Sequence, residues 1–222
     1  MGASRFVDLS HPIVSGQDGY PGLPAPLVEA QLTREASRAN YQGQAEFEIS
    51  RVELVGNSGT YLDSPYHRFA DRRDVAQLPL ESIAGLPGIR VDAELGADRR
   101  SVGIRLPAGI AGAAVLIRTG WDRRRGTPAY WEPGPFVGGD AIDALLAARV
   151  ALVGVDFWNI DDTTDPARPA HTRLLDAGVL IVEHLRGLDR LPSAGFRFSA
   201  VPAPIRGGTS FPVRAFADLA AD

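Results

Sequence analysis

Three short stretches of this chain are apolar almost without interruption: Ala114-Val115-Leu116-Ile117, Val150-Ala151-Leu152-Val153-Gly154-Val155 and Val179-Leu180-Ile181-Val182. Runs of that length without alternation predict strands covered on both faces. Between the first two, Ile142, Leu145, Leu146 and Ala148 recur at helical spacing, which predicts a helix over 139–149 with Asp140 as its N-cap. A shorter helix over 171–177, ended by Gly178, precedes the third run. Upstream, Phe47, Ile49, Val52 and Leu54 stand among Glu46, Glu48, Arg51 and Glu53, with one slip of the alternation at Ser50. That pattern predicts a half-buried strand over 45–55 carrying a bulge. Phe6 to Ser10 reads as a short strand, and the proline-broken stretch from Pro12 to Pro26 as loop. Strand, helix, strand, helix, strand implies a mixed α/β core.

Composition narrows the chemistry. A chain of 222 residues with 45% hydrophobic content buries a full core, and one domain over 1–222 is expected. With 23 basic against 27 acidic residues and no basic block, nucleic acid is not an expected partner. Every basic residue is Arg, so lysine nucleophiles and Schiff bases are excluded. There is no Cys, hence no disulfide, thiolate zinc site or cysteine nucleophile. A metal would have to sit on His and carboxylate oxygen. No apolar run reaches membrane-spanning or signal-peptide length, so a soluble cytoplasmic protein is expected.

The strand over 45–55 runs into Asn57-Ser58-Gly59-Thr60-Tyr61-Leu62-Asp63-Ser64-Pro65-Tyr66-His67, which places this segment at a strand's C-terminal end, a usual seat of catalytic groups. The segment resembles the HxGTHxDxPxH signature of the cyclase family, which contains bacterial kynurenine formamidase and isatin hydrolase. Gly59, Thr60, Asp63, Pro65 and His67 fall on the pattern, whereas Asn57 and Tyr61 replace its first two histidines. Further short matches follow in order: Asp8-Leu9-Ser10-His11-Pro12, Arg118-Thr119-Gly120-Trp121, Gly154-Val155-Asp156 with Asp161, and Gly207 to Ala215. His171 and Glu183, twelve residues apart, reproduce a pair that contributes to the family's metal centre. Without the resemblance, a buried Glu183 is most simply paired with an Arg.

The resemblance implies a single α/β domain with a mixed, barrel-like sheet flanked by helices, of the swivelling β/β/α type. It also implies a site made of Asp63, His67, His171 and Glu183 that holds one divalent ion, zinc or manganese. Imidazole nitrogen and carboxylate oxygen suit either ion. Asn57 offers only a neutral amide oxygen, and Tyr61 would ligate only as phenolate. The implied reaction is hydrolysis of a carbon–nitrogen bond in a small amide, lactam or lactone, arylformamidase-like, with His67 or Glu183 relaying the proton and Tyr61 donating to the oxyanion. Asn57, Trp121, Phe157 and Trp158 are the expected substrate contacts, and the aromatics suit a flat ring. Asn159 stands where the family has Ser. A homodimer or higher homo-oligomer is expected on the same analogy.

Two other readings stay open. In one, no metal binds and Tyr61 with His67 or His171 runs an acid–base cyclisation, isomerisation or dehydration. In the other, the pocket of a non-catalytic paralogue binds a small ligand. His11 is divided evenly between packing and pocket roles, and His184 reads as structural, facing away from Glu183. The run Arg123-Arg124-Arg125 is most simply a solvated loop, which an acidic substrate or a subunit contact could use.

Overall fold

The computed structural model describes residues 5–17 and 19–219. The opening residues Met1 to Ser4, part of the stretch read above as lacking an apolar leader, lie outside the described residues. In chain order the strands are β1 (Phe6–Asp8), β2 (Leu27–Leu32), β3 (Ile49–Glu53), β4 (Tyr61–Asp63), β5 (Leu86–Asp92), β6 (Glu94–Leu95) and β7 (Ser101–Gly103). They continue with β8 (Ala114–Arg118), β9 (Phe136–Val137), β10 (Leu152–Val155), β11 (Leu180–Glu183), β12 (Phe196–Ser199), β13 (Ser210–Pro212) and β14 (Phe216–Asp218). Three α-helices accompany them: α1 (Arg34–Asn40), α2 (Gly139–Ala147) and α3 (Pro169–Asp176).

Nine strands form one mixed sheet in the order β1-β14-β12-β5-β8-β10-β11-β4-β13. Its centre, β5 to β8 to β10 to β11, is parallel, and every pairing outside that centre is antiparallel. The connectivity forces the sheet to curl. β13 is one edge and β14 lies next to the other, yet only Val213, Arg214 and Ala215 join them. Four residue steps span at most about 14 Å, so the two edges must approach. Bridges from Ser10 to Leu185 and from Pro202 to Val213 stitch the gap.

The expected burial on both faces of the central strands is what the sheet shows. Val115, Ile117, Val153, Val155 and Ile181 pack outward against Ile142 and Leu145 of α2 and Leu174 and Leu175 of α3. Leu116, Leu152, Leu180 and Val182 point into the curl, where Leu9, Leu62, Phe198 and Ala217 meet them. Each such side chain contributes about 1.5–3 kcal/mol of transfer free energy, which is why two apolar layers hold so short a set of strands. Gly154 on β10 is required by this packing, since a Cβ there would lie 2.5 Å from Leu185 and 2.7 Å from Leu116.

Four sequence expectations need correction. The strand over 45–55 is shorter, Ile49–Glu53, and exposed along its whole length rather than half-buried. It pairs with β2 in a two-stranded ribbon, and the irregularity expected at Ser50 falls on the partner strand, between Ala30 and Leu32. The signature segment does not simply follow that strand: its residues 61–63 form β4, hydrogen-bonded between β11 and β13. Finally, Asp140 is not the N-cap of α2. Gly138 holds that position without a side-chain bond, and Asp140 lies in the first turn, where its charge still favours the helix dipole.

Candidate metal centre

The register of β4 and β11 sets the site. Tyr61 is paired with Glu183 and Asp63 with Ile181, so Tyr61, Asp63 and Glu183 project to the sheet face that carries α3. From that face α3 brings His171 in its first turn, because the helix starts at Pro169, a residue suited to its opening position. Asp161 fixes the geometry. Its carboxylate accepts from the backbone N–H groups of Ala170 (2.6 Å) and His171 (3.1 Å), satisfying donors that a helix start leaves free, and from His171 Nδ1 (2.6 Å). With Nδ1 committed to Asp161, the lone pair of Nε2 is the free ligand atom.

Among the described residues, Asp63, His171 and Glu183 bring their donor atoms within 4.8 Å of one another, and all three are buried. His171 Nε2 lies 3.7 Å from Asp63 Oδ2 and 3.7 Å from Glu183 Oε1, too far for hydrogen bonds. Both oxygens of Asp63 are buried without a hydrogen-bond partner, a cost that native folds rarely leave uncompensated. Glu183 is better supported: Oε1 accepts from Ile160 N at 2.6 Å and Oε2 from the Tyr61 hydroxyl. One imidazole nitrogen and two carboxylates, one of them without a partner, fit a divalent cation. The Arg expected as the simplest partner of Glu183 is not its partner here.

The charge state of each group follows from its neighbours. Burial opposes protonation of His171, but its bond to Asp161 and the charges of Glu183 and Asp63 outweigh this and raise its pKa to about 10. Burial, with the charge of Asp63, raises Glu183 to about 7 against the pull of His171. For Asp161, burial is outweighed by the His171 ring and the two backbone donors, and its pKa falls below the ordinary carboxylate value. Burial and the charges of Glu183 and Asp63 push the Tyr61 phenol well above its usual value, so it stands neutral and donates. The single phenolic proton is engaged by Glu183, which makes Tyr61 a support for that carboxylate rather than the free oxyanion donor expected from sequence.

A pocket of about 190 Å³ opens on this cluster, bounded by Asn57, Tyr61, His67, His171 and Glu183. His67 flanks the three-residue group: its Nδ1 is 3.7 Å from Asp63 Oδ1 and 3.4 Å from Ser210 Oγ, and a third of its side chain is exposed. Asn159, which the resemblance put near the pocket where the family has Ser, completes the wall with Tyr20, Leu23 and Arg168, which sequence reasoning did not place in the site. Asn159 Nδ2 donates to the Tyr20 hydroxyl at 2.9 Å.

The expected aromatic contacts divide. Trp158 bonds the Glu132 carbonyl and packs edge-on against Tyr20 at 5.6 Å, so it backs the pocket wall at one remove. The structure does not bring Trp121 or Phe157 to the pocket. Phe157 is fully buried in the helix-side core, and Trp121 donates to the Tyr130 carbonyl beneath the Arg124 guanidinium. Asp156, in the Gly154-Val155-Asp156 segment, is equally structural: burial raises it to about 6, and it accepts from Thr119 and Gly120 to join the ends of β8 and β10. Asp161 is the functional residue that sequence reading quoted only within a motif. Its two-residue offset from Asn159 and nine-residue reach to Ala170 gave no local signal.

Comparison with known proteins agrees with this arrangement. Residues 7–162 match the family model described as "Putative cyclase". The chain is 30% identical over 213 residues to a kynurenine formamidase of Salinibacter ruber, covering 95% of each. It is 31% identical over 197 residues to an isatin hydrolase of Roseibium aggregatum, covering 74% of this chain and 72% of the relative. Among solved structures, isatin hydrolase A from Labrenzia aggregata bound to benzyl benzoate superposes with a TM-score of 0.79 at 26% identity, covering 96% of this chain and 93% of that one. The motif order, the curled sheet and the buried His–carboxylate cluster thus converge, and the chain belongs to the cyclase family.

Proposed function

We propose that this chain is a metal-dependent hydrolase that opens a small amide, lactam or lactone, using one divalent ion held by Asp63, His171 and Glu183. The single observation that carries the reading is the buried Asp63 carboxylate, both of whose oxygens lack a hydrogen-bond partner while an oriented imidazole nitrogen waits 3.7 Å away. The formamidase and hydrolase names of its relatives support the same reaction class. When bound, zinc or manganese would supply Lewis acidity and an acidified water.

The protein's own groups do the rest. Asp161 keeps His171 in the tautomer that presents Nε2. Tyr61 and Ile160 N hold Glu183 in place. His67, beside Asp63 but partly open to solvent, is suited to carry a proton between the pocket and bulk water. Asn57, Asn159 and Arg168 provide polar contacts that orient a substrate, and Tyr20, backed by Trp158, offers an aromatic wall. The small volume restricts the substrate to about one or two fused rings.

The test is turnover of an N-formylated arylamine and of isatin, after chelation and after adding back zinc or manganese. Chelator-sensitive turnover restored by metal supports the proposal; undiminished turnover in chelator overturns it. One observation favours a metal-free acid–base reading: the neutral phenol of Tyr61 bonded to Glu183 at the pocket. Elemental analysis of protein purified without added metal separates the two, with about one ion per chain expected for hydrolysis.

A homo-oligomer is part of the same proposal. Val28 and Val52 face each other across the β2–β3 ribbon, 42% and 56% exposed, an apolar pair on the face opposite to Leu27. Such a patch suits a second copy of the chain.

A further inference from the structure

Behind the Tyr61 wall lies a second cleft of about 470 Å³ that shares no lining residue with the candidate metal centre. Its walls are His11, Arg125, Arg186 and Arg190, with Asp122 and Gly187. Arg190 already donates to the Gly187 and Asp8 carbonyls, and the Asp122 carboxylate accepts from Gly187 N at 2.8 Å. Asp8 stands nearby, with a carboxylate oxygen 3.7 Å from Arg186, but it is also taken by Arg214 at 2.8 Å.

Buried polar atoms in and behind this cleft, with His11 on its wall and His184 behind Arg125, are the second observation. His184 is 1% exposed, and its Nδ1 meets both Arg125 Nη1 and the Tyr130 hydroxyl at 2.7 Å. A guanidinium can only donate, so Nδ1 is the acceptor and the ring proton sits on Nε2. That N–H is buried without a partner, as are His11 Nε2 and Arg186 Nε. His184 feels the charge of His11, and Arg125 bears on both rings. Burial first, and then the charges of Arg125 and Arg186, push the pKa of His11 down to about 3.

We propose that this cleft is a binding site for a small oxyanion, carboxylate or phosphate, gripped by Arg186 and Arg190 beside the buried ring of His11. Guanidinium forks match both anions, and charge-assisted bonds in a partly enclosed cleft are the strong kind. The Arg123-Arg124-Arg125 run then divides by role. Arg123 pairs with Asp189 at the surface, Arg124 covers Trp121, and Arg125 turns into the cleft. Tyr61 and His184, with ring centroids 5.3 Å apart, form the partition between this site and the metal centre.

The test is calorimetric titration of the whole protein at low salt with inorganic phosphate and, separately, benzoate. Saturable binding is expected for at least one of them, and which one binds identifies the preferred oxyanion. Arg186→Gln combined with Arg190→Gln should weaken it about tenfold or more, while Asp63→Asn should leave it unchanged. Absence of saturable binding by either anion, or equal affinity in the double arginine variant, overturns the proposal. Loss of binding in Asp63→Asn would instead move the anion to the metal centre. Should the double variant fail to fold, imidazole NMR of the wild-type chain decides, since it has only four histidines. The anion must shift the signals of His11 and His184; shifts confined to His67 and His171, or none, refute it. The outcome is independent of whether the chain hydrolyses amides.

Discussion

His171 and His184 sit on opposite sides of one tyrosine and live in opposite fields. Around His171 stand Asp63, Asp161 and Glu183, and its pKa is pulled up to about 10. Around His184 and its neighbour His11 stand arginines, and burial with that charge drives both down, His11 to about 3. The residue type is the same and the burial similar for His171 and His184, so burial does not set the charge. The sign of the surrounding side chains does. On the proposed readings, one side of Tyr61 receives a cation and the other an anion.

The largest expected effect comes from removing the cation side. Asp63→Asn should abolish metal retention, measured as ions per chain after dialysis, and reduce turnover to background. Next, Asp161→Asn should weaken metal affinity roughly 10–100-fold, because His171 loses the acceptor that fixes its ring. A chelator competition titration reads that change directly.

Proton release sharpens the contrast. With a pKa near 10, His171 carries a proton at neutral pH that an incoming ion must displace. Calorimetry of metal binding at pH 7 in two buffers of different ionisation enthalpy should therefore report more than one proton released per ion, one from His171 and a fraction from Glu183, whose pKa is about 7. Stability should slope in opposite directions for the two fields. In chelated protein the folded pKa of His171 lies above its unfolded value of about 6.5. Its contribution is full below that value and is lost as pH rises towards 10. His11 is depressed, so its contribution is full above about 6.5 and is lost as pH falls towards 3. Thermal melts of His171→Gln and His11→Gln across pH should each flatten one of these slopes and leave the other.

A smaller effect is expected at the partition. Tyr61→Phe removes the donor to the buried Glu183 Oε2 and should cost about 1–3 kcal/mol of stability, read from denaturant melts. The smallest is at the ribbon, far from both fields: Val52→Asp should shift the oligomeric state seen by light scattering while changing protomer stability by no more than about 0.5 kcal/mol.

What the residues revealed in advance follows from how local each signal is. Continuous apolar runs betrayed β8, β10 and β11, and Gly178, at φ +78, marked the end of α3. Asp63, His171 and Glu183 were legible through motif order. The exposed β2–β3 ribbon was not, because alternation looks the same whether one face meets a core or a second surface. β4 has only three residues, Tyr61-Leu62-Asp63, too few for any period to register. Trp121 and Phe157 were assigned to the pocket from their place at the ends of buried strands, on the edge expected to carry the motif, and that place does not tell which way a side chain turns. The roles of Asp161 and His184 depend on partners 10, 54 and 59 residues away, beyond any pattern along the chain.

The closing link between β13 and β14 also bears on how such a molecule is made. β1 waits for β14, and the ion pair of Arg5 with Asp218 joins groups 213 residues apart. Until residues 210–218 have left the ribosome, β4 presents a bare rim beside the carboxylates it carries. Contacts so distant form slowly, and open rims invite intermolecular stacking. Nascent copies of this protein should therefore depend on chaperones until their final strands emerge.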